Sequence, residues 1–94
     1  MLFWVKAVDR PDHGAVRAAH RAAHLAYLAD HAAAVRLAGP SLSEDGAAPT
    51  GSVLLLDLAD RQAAEAFCAA DPYAQAGLFA EVAITPWRQV IPAP

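Results

Sequence analysis

Four histidines, His13, His20, His24 and His31, stand at spacings of 7, 4 and 7, and an acid, a proline and a tyrosine arrive together at Asp71-Pro72-Tyr73. On a helix turning about 100° per residue, the histidines fall within about 40° of one another. His13 joins that line only if the helix begins before Gly14. Val16, Tyr27, Leu28 and Val35 bracket the line while Ala fills most of the remaining turns, so at least His24 and His31 belong to the core-facing side. Three kinds of chemistry fit. The histidines could be partly buried and satisfied by neighbours. His20 and His24, at i and i+4, could share a metal ion. Or an imidazole could move protons in a pocket between helix and sheet. The metal reading lacks further ligands: no Cys or carboxylate follows at ligand spacing, and the stretch HRAAH has no glutamate of the zinc-protease type. No phosphate-binding loop is present either. The expectation is no metal and no cofactor.

Asp71-Pro72-Tyr73 ends the alanine-rich stretch RQAAEAFCAA. Proline cannot continue that helix, and it holds the preceding residue in extended geometry, which fixes where the Asp71 carboxylate points. Tyr73 can wall a pocket with its ring and offer a hydroxyl. Against this stands an ordinary Asp-Pro turn, in which the carboxylate accepts backbone N–H bonds. Cys68 reads as a small buried residue, with no basic neighbour in sequence to make it a reactive thiolate.

The elements that must position these groups are few. Ninety-four residues suit one domain, 1–94. Hydrophobic residues make up 56 %, but 25 of the 94 are Ala, so the large apolar groups are scarce and their positions informative. A net charge of −3 without a basic run excludes a nucleic-acid surface. No apolar run approaches the ~20 residues of a membrane span, and the first residues lack a signal-peptide pattern, so a cytoplasmic protein is expected. Strands are predicted at 2–8, 35–40, 53–60 and 81–91, helices from Ala15 to about Val35 and over 61–70, and a polar loop over 41–52. Asp60 is placed to cap the second helix, and Pro86 marks a bend or an edge strand. This βαββαβ order is the ferredoxin-like α+β pattern, a four-stranded antiparallel sheet with both helices on one face. In 2–8 and 53–58 both faces of the strands are apolar, and two helices cover only one side. A homodimer packed sheet to sheet is therefore expected, with the Leu54 side taken as its contact face.

The stretches RAAHLAYLADHAAAVRLAGP (21–40), TGSVLLLDLADRQAAEAF (50–67) and DPYAQAGLFAEVAITPW (71–87) resemble, in this order, the YciI-like proteins. The shared pieces are an R-x-x-H-L helix, a strand ending in Gly-Pro, a Thr-Gly-Ser start to a strand, and Asp-Pro-Tyr before a segment containing alanine and glycine. The resemblance implies a dimeric α+β barrel, the broader fold of the muconolactone isomerases, with a pocket in which a His and an Asp act together. The matching positions are His24 in HL and Asp71 in DPY. It links a few members to chemistry on small cyclic compounds, including dehydrochlorination of a hydroxylated chloroaromatic, and some relatives to sigma-factor-like regulators. The segment from His24 to Gly39-Pro40 is slightly short for the family, and the 41–52 loop is short and Ala-rich, so substrate selectivity does not carry over.

The resulting expectation is a cofactor-independent isomerase or lyase acting on a small cyclic compound. His24 is the acid/base and Asp71 its orienter, while Tyr73 and His31 contact the substrate. The alternative is a dimeric module that binds a small molecule, or regulates, without turnover.

Overall fold

Strands β1 (Leu2–Asp9) and β3 (Pro49–Asp57) carry the chain's densest apolar runs and form the middle of the sheet. The computed structural model describes residues 1–94. Its remaining elements are α1 (Gly14–Asp30), β2 (Val35–Leu42), α2 (Arg61–Ala70), the single turn α3 (Pro72–Gln75) and β4 (Phe79–Trp87). All neighbouring strands pair antiparallel, in the order β2-β3-β1-β4. This is the ferredoxin-like α+β fold read from the sequence. Pro40 lies in edge strand β2 and Pro86 in edge strand β4, where a missing N–H costs no ladder bond, while Pro49 is the first residue of the central strand β3. Gly51 lies opposite Val8, and a side chain there would run into the Ala7 carbonyl, so β1 and β3 approach closely only because that position is glycine. No helix is long and apolar enough to cross a membrane.

Register decides which side chains share a face. Val5 pairs with Leu54 and Phe3 with Leu56, and all four are buried. Val5, Leu54 and Leu56 form the core with Phe67 of α2, and Tyr27 and Leu28 of α1 pack against it. Both long helices therefore cover the Leu54 side. This corrects the face assigned to the dimer: the open side is the one carrying Trp4, Trp87 and Leu37. These are 37 %, 40 % and 62 % exposed, and the two tryptophan rings lie 6.0 Å apart. Alternation alone could not choose between two apolar faces.

Other boundaries moved for tertiary reasons. α1 stops at Asp30 instead of continuing toward Val35, because Val35 pairs with Leu56 as the start of β2. Pairing overrides the helix preference of Ala32–Ala34. The loop expected over 41–52 shrinks to 43–48, a turn in which Asp45 accepts from Ser43 Oγ and the Ala47 N–H, and Gly46 takes a positive φ of 74°. β4 begins at Phe79 and ends at Trp87, not 81–91, and α3 was not foreseen. Asp60 caps α2 through the Ala63 N–H at 2.8 Å.

Candidate active site

α1 buries two residues, and both are polar: Arg17 and His24. They stand seven apart, so one stripe of the helix presents both. Each is held by a carboxylate from a different part of the fold.

His24 Nδ1 meets Asp71 Oδ1 at 2.8 Å, with the two residues 7 % and 3 % exposed. Asp71 sits between α2 and α3 with φ −59° and ψ 129°, the extended geometry that the following proline imposes. The same Oδ1 accepts the Tyr73 N–H at 2.9 Å, capping α3. The turn role and the histidine contact are thus one arrangement: the cap orients the carboxylate that the imidazole meets. A carboxylate can only accept, so Nδ1 carries the proton, and the Nε2 of a neutral ring is left with its lone pair and no protein partner. Tyr73 stacks on the imidazole, with centroids 4.0 Å apart and planes at 17°, which fixes the ring's orientation.

Arg17 contacts the same tyrosine, its guanidinium carbon 4.6 Å from the ring centroid. Its Nε and Nη2 bind Asp9 Oδ2 and Oδ1 at 2.7 and 2.9 Å, and Nη2 also reaches Ser52 Oγ at 2.8 Å. Burial pulls the guanidinium's pKa down. The Asp9 bond and charge, together with Tyr73, outweigh it, so the group lies above its ordinary value and stays charged. Asp71's charge is felt by two neighbours. Burial, then that charge, raises the Tyr27 hydroxyl, which donates to the Phe67 carbonyl at 2.8 Å; the same two causes push the Cys68 thiol up to about 11. Cys68 is thus a protonated, half-buried thiol rather than a nucleophile.

A cleft of about 490 Å³ opens between α1 and the β2–β3 hairpin. Arg17, Arg21, His24, Ser52 and Tyr73 supply its polar wall; Leu25, Leu28 and Leu54 are apolar lining. That volume falls within the range of small-molecule sites.

The other histidines do not join it. His31 is the exposed C-cap of α1, its Nδ1 2.8 Å from the Tyr27 carbonyl oxygen and its ring against Tyr27 and Phe67. α1 ends one residue too early for it to share the His24 stripe, and it does not line the cleft. His13 precedes the helix, 2.7 Å from the Pro11 carbonyl oxygen, and His20 is half-buried elsewhere on α1. No three His, Cys, Asp or Glu side chains converge at metal-binding distance. Arg17, Arg21, Asp9 and Ser52 were missed in the sequence. The available signal was an arginine seven residues before His24, hence on its stripe.

A model of the YCII-related domain matches residues 1–88. An uncharacterised protein of Haemophilus influenzae is 36 % identical, covering 96 % of this chain and 99 % of that one. Protein YciI of Escherichia coli is 33 % identical with the same coverage. Among solved structures, the 5-chloro-2-hydroxyhydroquinone dehydrochlorinase of Burkholderia phenoliruptrix, in complex with 2,5-dihydroxybenzoquinone, is similar with a TM-score of 0.88. It is 35 % identical, with 96 % of each chain covered.

Proposed function

The chain belongs to the YCII-related family, and from that premise we propose that it is a small enzyme in which His24 and Asp71 carry out acid/base chemistry, of the isomerase or lyase type, on a small cyclic compound. The observation that carries this reading is the 2.8 Å bond from His24 Nδ1 to a buried carboxylate, on a residue that lines the cleft. Nε2 takes a proton from a substrate carbon or hydroxyl, and the electron pair of the broken bond enters the ring system. In an isomerase the imidazolium returns the proton to another ring atom. In a lyase the pair expels a leaving group, so that HCl, for example, is lost as a proton to His24 and chloride to water. Asp71 stabilises the imidazolium and holds the tautomer. Tyr73 keeps the ring plane fixed and forms part of the cleft wall.

The named substrate of the Burkholderia neighbour gives the first test. Incubation with 5-chloro-2-hydroxyhydroquinone should release chloride faster than buffer alone, and His24→Gln should abolish the excess. Release that is unchanged in that variant would refute His24 as the base. Tight binding of ring compounds without turnover of any would favour the binding-module reading.

The working unit on this reading is a homodimer, closed over the open sheet face by Trp4, Trp87 and Leu37. Exposed aromatic groups grouped on one sheet face favour such burial. Light scattering at micromolar concentration should give twice the chain mass, and Trp4→Lys should give the monomer; a monomeric parent protein would overturn this.

A further inference from the structure

We propose that Arg17 is the oxyanion-binding group of the cleft, and that the substrate is a ring compound whose ionised or ionising ring oxygen sits against it. The proposal rests on the acid/base reading of His24 and adds the class of substrate.

Arg17 is 7 % exposed and lines the cleft. Asp9 and Ser52 occupy its Nε and Nη2, and the remaining side-chain partner near the guanidinium is the Tyr73 hydroxyl, on a residue that itself lines the cleft. Ion-paired arginines this deeply buried spend their donors on protein acceptors. Here one edge of the guanidinium is anchored by Asp9 and Ser52, and the residue still forms part of the cleft wall. Arg21, one turn further along α1, adds a second positive charge at the same wall, in a chain whose net charge is −3. No carboxylate lines the cleft to oppose them.

The placement suits the chemistry. Arg17 and His24 flank one tyrosine ring, at 4.6 and 4.0 Å from its centroid, so a single six-membered ring can reach both. When a C–H bond breaks next to a ring carbonyl, the proton goes to His24 Nε2 and the C–H pair becomes a C=C bond. The carbonyl π pair moves onto oxygen. That oxygen gains the full negative charge, and a fixed guanidinium beside it stabilises the charge as it develops. No redox partner is needed.

The test is binding, read separately from turnover. Wild-type protein should bind 2,5-dihydroxybenzoquinone, an acid ionised at pH 7, at least tenfold more tightly than neutral hydroquinone by calorimetry. A charged hydrogen bond accounts for a preference of that order. Arg17→Gln should remove most of it, and Arg21→Gln should lower it by a few fold. His24→Gln should keep the preference while losing chloride release. If Arg17→Gln does not fold because Asp9 is stranded, the double variant Asp9→Asn/Arg17→Gln, which leaves no buried charge, takes its place. An unchanged preference in the arginine variants overturns the proposal and leaves the His24 reading intact. Loss of preference in a protein that turns nothing over supports the oxyanion site and refutes the enzyme reading. Benzoate competing as well as the quinone would overturn the assignment to a ring oxygen in favour of a carboxylate.

Discussion

Two carboxylates, Asp71 buried and Asp9 half-buried, hold two bases on one stripe of α1, with Tyr73 touching both bases. Asp9 takes Arg17 in a two-pronged grip of 2.7 and 2.9 Å. Asp71 takes His24 through one bond of 2.8 Å and spends the same oxygen on the Tyr73 N–H. The difference lies in the base. A guanidinium never gives up its proton in this setting, so the Asp9 pair is a permanent fixture tying β1 to α1. An imidazole can both give up and take back a proton, and one of its nitrogens is left over for a ligand. The same local motif thus serves anchorage at one site and reversible chemistry at the other. Breaking each pair should therefore damage different properties.

The largest expected effect is on rate, at the Asp71 pair. His24→Gln should cost about 10²–10⁴-fold in turnover, the range for losing a general acid or base. Asp71→Asn should fall short of that, since the imidazole survives but loses its negative partner and its fixed tautomer. Stability should move much less: leaving a buried imidazole nitrogen unpaired costs about 1–3 kcal/mol. Steady-state kinetics beside urea denaturation separates the two. A variant equally impaired in both would mean that the pair is a fold element like its neighbour.

At the Asp9 pair the order reverses. Asp9→Ala strands a buried guanidinium and should destabilise the fold by about 3–5 kcal/mol in urea denaturation. The double variant Asp9→Asn/Arg17→Gln should recover a good part of that loss, because it leaves no uncompensated charge. If Asp9→Ala costs less than about 1 kcal/mol, the cleft hydrates Arg17 and the contrast drawn above collapses.

The two pairs were unequally legible in the sequence. Spacing put His24 and His31 alike on the core-facing side and the following proline drew notice to Asp71, while it was the resemblance to the YciI-like proteins that paired His24 with Asp71. Arg17 did not stand out, because an arginine on an alanine-rich helix reads as a solvent-facing charge. Its acceptor Asp9 lay just past the strand predicted at 2–8, and only folding brings the end of β1 beneath the first turns of α1. Ser52 was visible only as part of a Thr-Gly-Ser start to a strand, with nothing to say that its hydroxyl meets a guanidinium 35 residues away in sequence. His31 was over-read for a related reason: the periodicity that places it beside His24 continues past Asp30, but the helix does not. The βαββαβ order was legible because β1 and β3 are short, densely apolar runs and the two long helices are alanine-rich stretches without an internal Gly or Pro. Which sheet face the helices would take was not, since Val53 and Leu55 are as apolar as Leu54 and Leu56.

The smallest expected effect reports on the charges themselves. Cys68 lies beside Asp71, and its thiol is pushed up to about 11, first by burial and then by the Asp71 carboxylate. At pH 8 it should react with iodoacetamide on the order of a hundredfold more slowly than a free thiol of pKa about 8.5, because only the thiolate attacks. The pH at which the rate turns over, rather than the rate alone, isolates the charge from any change in opening of the fold. In Asp71→Asn that inflection should fall, since a nearby negative charge disfavours a second one and its removal lowers the thiol's pKa. The fall should be modest, because burial, the larger cause, remains. Asp9→Asn should leave the inflection where it is, because Arg17 already neutralises that carboxylate. An inflection that ignores Asp71→Asn would mean that Asp71 carries no net charge in the resting protein, its proton being shared with His24. The two carboxylates would then differ in ionisation as well as in partner.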